Sequence, residues 1–242
     1  LTDDSRAGPP RASELLRKGD KLFAGGDAAG AVREYERALK LAPGDALAWN
    51  NLGVALSASG RASEAIGPYE RALGLDSGFW RAWYNLGKAL QRAGRFEEAI
   101  EKYDRALAIN PLHESSLNNK GYALMALGRH EEALEVLDTL LGANPLYAHG
   151  WANKGNLLAA MGIAAESRVC YEIAEMLDPD LPRETGSAGE GSRGPALGPG
   201  RSPEARGPPT DAGTDGEELA PGSGRSLPRQ GAPRRPRERR DG

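Results

Sequence analysis

Four asparagines recur at intervals of 34 residues: Asn51, Asn85, Asn119 and Asn153. A carboxamide accepts one hydrogen bond and donates others, so a row of them can hold both sides of an extended peptide backbone. Around Asn85, the residues Arg81, Lys88 and Arg92 complete a series spaced four, three and four apart. That spacing is one stripe of a helix. Three cations on one stripe suit an acidic side chain or a terminal carboxylate, although a solvated charged face has the same composition. The other reactive residues are sparse. His113, His130 and His149 show no metal spacing such as HExxH. Cys170 is the only cysteine, which excludes an intramolecular disulfide and a four-cysteine zinc site. No charged neighbour marks it as a nucleophile. No P-loop and no nucleophile elbow is present. These residues point to recognition rather than catalysis, with no enzyme activity, cofactor or metal expected.

The period that sets out the asparagines runs through the chain. Gly19, Gly53, Gly87, Gly121 and Gly155 are 34 apart, as are Gly26, Gly60, Gly94, Gly128 and Gly162. Such a period predicts a stack of small helical units. The repeats are 12–45, 46–79, 80–113, 114–147 and 148–181. Within each, positions 4, 7, 8 and 11 share one face of a first helix, A; in the second repeat they are Trp49, Leu52, Gly53 and Leu56. A glycine inside a helix costs about 0.5–1 kcal/mol, so five at position 8 predict close approach of a neighbouring helix. The glycines at position 15 predict the end of helix A, because a left-handed cap suits glycine. A second helix, B, carries small residues at positions 20 and 27 and an aromatic at 24, as in Ala65, Tyr69 and Ala72, except in the fourth repeat, which has Ala133, Leu137 and Leu140. Proline at position 32 (Pro43, Pro111, Pro145, Pro179) stops it, and Ser77 breaks that pattern. Gly67-Pro68 falls inside helix B of the second repeat and predicts a kink or fraying over 66–69.

Positions 4, 8, 11, 20, 24, 27 and 32 agree together in several repeats, and in this the chain resembles the tetratricopeptide repeat family over 12–181. The resemblance implies an all-α, right-handed superhelical solenoid of five helix-turn-helix repeats, with the A helices lining the concave side. It also implies that the asparagine at position 6 often clamps a bound peptide. Some members hold chaperone tails in a carboxylate clamp. At the clamp positions this chain has Leu16, Asp20, Asn51, Arg81 and Asn85. Only Asn51 and the charge of Arg81 fit, so a chaperone tail is not the expected ligand.

Positions 2, 6, 9 and 13 form a second face of helix A, mostly polar or small, which is expected to line solvent. Packed helices lie about 8–10 Å apart, and three extended residues span about 10 Å. An asparagine in each successive repeat therefore matches every third residue of an extended ligand. The first repeat has Arg17 there instead.

Composition narrows the partners. The net charge is −3 and no run of 18 or more apolar residues occurs. Neither a membrane nor nucleic acid is an expected partner, and a reducing, cytoplasmic setting fits the single cysteine. Residues 182–242 hold 13 Gly, 10 Pro and 11 Arg, with no lysine. Such a tail is expected to be disordered, as are residues 1–11. Its Gly189-Glu190-Gly191-Ser192-Arg193-Gly194 follows no strand and carries no nucleotide-binding expectation. Its acidic stretch Asp211–Glu218 could reach the basic stripe across a flexible linker. Its arginine-rich end, Arg234–Arg240, reads as a solvated basic tail.

The expected function is a non-catalytic adaptor that binds an extended peptide segment of a partner protein in the concave groove, with an acidic group of the ligand as the candidate for the basic stripe. Alternatives are a structural scaffold that self-associates through the last repeat, where Ile173, Met176 and Leu177 are expected to be exposed, or the regulatory repeat module of a larger protein.

Overall fold

A computed structural model describes residues 10–181. Residues 1–9 and 182–242, with the glycine motif, the acidic stretch and the arginine-rich end, lie outside the described residues. Ten helices and no strand occur among the described residues. The A helices are α1 (Pro10–Ala24), α3 (Ala46–Ala58), α5 (Trp80–Arg92), α7 (Glu114–Ala126) and α9 (Ala148–Ala160). The B helices are α2 (Ala28–Leu41), α4 (Ile66–Leu75), α6 (Phe96–Ile109), α8 (His130–Ala143) and α10 (Ala164–Leu177).

Each helix A packs on its own helix B, and each helix B on the next helix A. α3 also touches α5, α5 touches α7, and α7 touches α9; no pair of B helices touches to a similar extent. The A helices therefore form the inner layer of an all-α solenoid, and the B helices the outer one.

The recurrent residues explain the pairing. A Cβ added to Gly19, Gly53 or Gly87 would lie 2.6, 2.5 or 2.6 Å from a ring carbon of Tyr35, Tyr69 or Tyr103. The tyrosine of helix B thus lies flat on the bare backbone of helix A. Its ring is fully buried in these three repeats, between the small residues at positions 20 and 27. In the fourth repeat Leu137 takes the place of tyrosine, and the gap above Gly121 widens to 3.0 Å. Burial and bonds to acids or amides fix the ring. Tyr35 donates to Asp20 at 2.8 Å and Tyr171 to Asn156 at 2.7 Å. Desolvation is the main reason the Tyr35 and Tyr103 hydroxyls titrate well above the usual phenol range.

The helix ends follow a common pattern. All five position-15 glycines have φ between 72° and 84°. In every repeat the next backbone N–H reaches back to the position-11 carbonyl, as in Arg61 to Leu56 at 2.9 Å, which closes a Schellman cap. Arg61–Glu64, Arg95–Glu98 and Arg129–Glu132 then form paired hydrogen bonds at the start of each middle B segment. Each carboxyl is held below its usual range by the arginine that binds it.

The second repeat differs. α4 has 10 residues where the other B helices have 14. Residues 62–65 are a turn, closed by bonds from Glu64 to Arg61 and from Ala65 to Ala62. The disruption lies N-terminal to the expected 66–69. Pro68 is the third residue of the shortened helix, where its missing N–H would have had no helical partner. The helix loses a turn before the proline and is regular after it.

Candidate functional site

The inner face of the A helices holds the residues singled out by the spacing, and the asparagines are more deeply set than expected. Asn51, Asn85, Asn119 and Asn153 are 4, 2, 7 and 1 % exposed. Two of them, Asn85 and Asn153, bond an asparagine that lies one position earlier in the preceding repeat. Asn85 Nδ2 donates to Asn50 Oδ1 of the preceding repeat at 3.1 Å, and Asn153 Nδ2 donates to Asn118 Oδ1 at 2.8 Å. Asn50 in turn donates to Asn51 at 3.3 Å. These amides join helix A to helix A. The face is not lined by solvent along its whole length; it narrows to these bridges. In the first repeat position 6 is Arg17, which is exposed. The pairing of position 5 with the next position 6 is visible in the sequence as Asn50/Asn85 and Asn118/Asn153, 35 apart, a spacing that the 34-residue period does not contain.

One acceptor is left over. Asn85 Oδ1 is buried without a hydrogen-bond partner, as is His130 Nδ1. Buried polar atoms are rarely left so.

The cations of the third repeat lie beside this row on an aromatic bed. Arg81 stands 4.6 Å from the centre of the Trp80 ring, and Lys88 lies 5.5 Å from that of Tyr84. His113 bridges the two rings, at 4.6 Å from Trp80 and 4.8 Å from Tyr84, and its Nδ1 lies 2.8 Å from Ser116 Oγ. Arg81 and Lys88 are half-buried and Arg92 is exposed. No lysine or arginine stands at the equivalent positions of the second, fourth and fifth repeats, which hold Leu47, Val54 and Ala58, then Ser115, Tyr122 and Ala126, then His149, Asn156 and Ala160. No carboxylate occupies positions 2, 6, 9 or 13 in repeats two to five. Acids gather on the outer layer instead, where Asp104 and Asp138 bind Lys120 and Lys154, each at 2.6 Å. The inner face is thus cationic at its centre.

The remaining candidates have local roles. Asp20, which would repel a carboxylate, is bonded to Tyr35. His149 is 9 % exposed, with its ring 6.2 Å from Tyr147. Cys170 is buried, and desolvation raises its thiol above the usual range. No cluster of three or more metal-ligating side chains occurs among the described residues. No helix among them is long and apolar enough to cross a membrane.

The tryptophans at position 4 have a role besides packing. They also donate across the repeat junction, Trp49 to the Pro43 carbonyl at 2.9 Å, Trp83 to Ser77 at 2.9 Å and Trp151 to Pro145 at 2.8 Å. The bond needs a carbonyl at position 32, which serine supplies as well as proline.

Comparison with known proteins agrees with this architecture. No curated protein matches the chain. Among solved structures, the MamA protein is 24% identical, covers 70% of this chain and 92% of its own, and superposes with a TM-score of 0.65. MamA from Desulfovibrio magneticus RS-1 is 16% identical, covers 72% and 98%, and gives 0.68. YrrB, a TPR protein with an unusual peptide-binding site, is 22% identical, covers 70% and 87%, and gives 0.61. Models of the tetratricopeptide repeat match residues 16–78 and 118–180, and a further one matches 80–113. These matches span more than half of the chain, and the protein belongs to the tetratricopeptide repeat family.

Proposed function

We propose that the chain is an adaptor that binds an extended acidic segment of a partner protein along its inner face. The observation that carries this reading is the cationic stripe Arg81, Lys88 and Arg92, set on Trp80 and Tyr84 in a face whose second to fifth repeats offer no carboxylate. Stacked repeats present extended concave surfaces of the kind such binding uses, and YrrB supports a peptide as the ligand. In this reading the cations take the acidic group of the ligand. Asn51, Asn85, Asn119 and Asn153 hold its backbone, with the orphan Asn85 Oδ1 as the acceptor for one ligand N–H, which it reaches only by giving up the bond to Asn50. The amide donors of Asn85 and Asn153 are already engaged between repeats. The asparagines therefore contribute less to the ligand than a free row would, and the cations more.

The engagement decides the experiment. Asn→Ala changes would remove bonds that join repeats, so a lost ligand and a loosened fold would look alike. Arg81→Glu with Lys88→Glu changes charge at positions that are not fully buried. The full chain and this variant are compared by fluorescence anisotropy with extended peptides that differ only in a central Glu or Gln. The expected result is a preference for the Glu peptide that falls by about tenfold or more in the variant. Equal affinity of both proteins for the Glu peptide, with folding intact by circular dichroism, rejects the reading.

A scaffold that associates through its repeat ends is the competing reading. Met176 is 82 % exposed, as that reading requires, but Ile173 and Leu177 are half-buried.

A further inference from the structure

The last helix breaks the pattern of the other B helices in two ways at once. Positions 21 and 28 of helix B receive helix A of the next repeat. In the first four repeats they are Val32, Ile66, Ile100 and Leu134, and Leu39, Leu73, Leu107 and Leu141, all buried or half-buried. In α10 they are Arg168 and Glu175, both exposed. The stacking face of the array therefore closes with charge. Positions 22, 26 and 29 point outward and are polar or small in the other repeats: Arg33, Gly67, Glu101 and Glu135; Arg37, Arg71, Arg105 and Thr139; Lys40, Gly74, Ala108 and Gly142. In α10 they are Val169, Ile173 and Met176. Val169 is 52 % and Met176 82 % exposed, with Ile173 half-buried between them. Spacings of four and three put the three side chains on one stripe. The apolar residues that a sixth repeat would have covered are thus replaced by an apolar stripe on a different face.

Charge indicates what covers that stripe. Glu166 and Glu172 border it on α10, and Glu135 of α8 stands exposed at the position equivalent to Val169. A second copy paired antiparallel on the stripe would centre midway between Val169 and Met176. It would set Glu172 against its own counterpart, a repulsive arrangement. A helix whose apolar residues recur at three and four residues, flanked by lysine or arginine, meets both the stripe and its rim. We infer that the outer face of α10 docks a basic amphipathic helix of another protein, separately from the inner groove.

The probe is a synthetic amphipathic peptide of about 18 residues with leucines on one face and lysines beside them. Its control carries glutamate for each lysine. Both are titrated against the full chain by fluorescence anisotropy, with circular dichroism to confirm folding. The expected result is saturable binding of the lysine peptide and at least about tenfold weaker binding of the glutamate peptide. Val169→Glu with Met176→Glu is the discriminating variant. Attraction to an acidic surface alone predicts that two more carboxylates tighten the lysine peptide, whereas docking on the stripe predicts at least about tenfold loss. Absent binding, tighter binding or unchanged binding by the variant overturns the proposal. Sedimentation of the full chain tests the other occupants. A dimer abolished by the same double variant would make a second copy the occupant. Tighter probe binding after removal of residues 182–242 would make it the chain's own tail. Either result overturns the proposal.

Discussion

Gly53 shows how one missing side chain organises a repeat. A Cβ there would lie 2.5 Å from Tyr69 Cε1, and the Tyr69 ring is 1 % exposed with no room to retreat. Alanine improves helix propensity by about 0.8–1.0 kcal/mol, while overpacking a filled core costs about 1–3 kcal/mol. The contact is between a backbone and a rigid ring, so the cost dominates. Gly53→Ala is expected to lower the urea midpoint. Gly121→Ala meets Leu137 Cδ2 and Cγ at 3.0 Å, a milder overlap than at Gly53 although Leu137 is also fully buried. That variant is expected to cost clearly less than Gly53→Ala. Equal losses at both sites would show that the glycines serve something other than tyrosine packing. The glycine spacing predicts the close approach. It does not reveal which side chain approaches, because tyrosine and leucine both satisfy an apolar position. The asparagines show a different limit. Their type suggests solvent-facing amides, yet all four are buried, and two of them, Asn85 and Asn153, are bonded to an asparagine one position earlier in the preceding repeat; a buried amide looks like an exposed one in a sequence.

At the scale of the element, the repeat junction is set by backbone shape before side-chain identity. Ala42, Asn110, Asn144 and Asp178, each before a proline, have φ from −126° to −144° and ψ from 72° to 95°. Asp76 precedes Ser77 with φ −140° and ψ 96°. The second junction already has the extended shape that proline imposes on the residue before it, and the Ser77 carbonyl still accepts from Trp83. Ser77→Pro is expected to stabilise the fold by about 0.4–1 kcal/mol, chiefly by restricting the unfolded chain. The denaturant midpoint measures this; a loss of stability would mean that the Ser77 backbone conformation or N–H matters in the fold. The broken pattern at Ser77 was legible in the sequence, but its harmlessness was not, since the required group is a carbonyl that every residue carries. α4 is the converse case. Gly67-Pro68 announced a disruption in the right helix, and the chain moved it one turn upstream, where a proline in the first turn costs little.

At the scale of the whole molecule, a solenoid has to state where it ends. Stability of such an array is close to a sum of repeat and neighbour terms, so an apolar end invites another unit. Arg168 and Glu175 withhold that invitation at α10. The sequence held this in plain view, but only a face-by-face comparison of the B helices shows it, because Val169, Ile173 and Met176 keep α10 apolar enough to pass for one more stacking helix. Arg168→Leu with Glu175→Leu restores the pair found at Leu134 and Leu141 and should reopen the end. The face that would meet it is that of α1, where Leu16 and Phe23 are half-buried and Arg17 is exposed. The contact would be head to tail. A contact between unlike surfaces does not close after two copies unless its rotation happens to form a ring. The double variant is therefore expected to sediment as a series of species that grows with concentration, whereas adding Val169→Glu and Met176→Glu, on the other face, should leave that growth intact. A variant that stays monomeric at every concentration would mean that α1 cannot stack on α10, and that the charges at Arg168 and Glu175 are not what keeps the two apart.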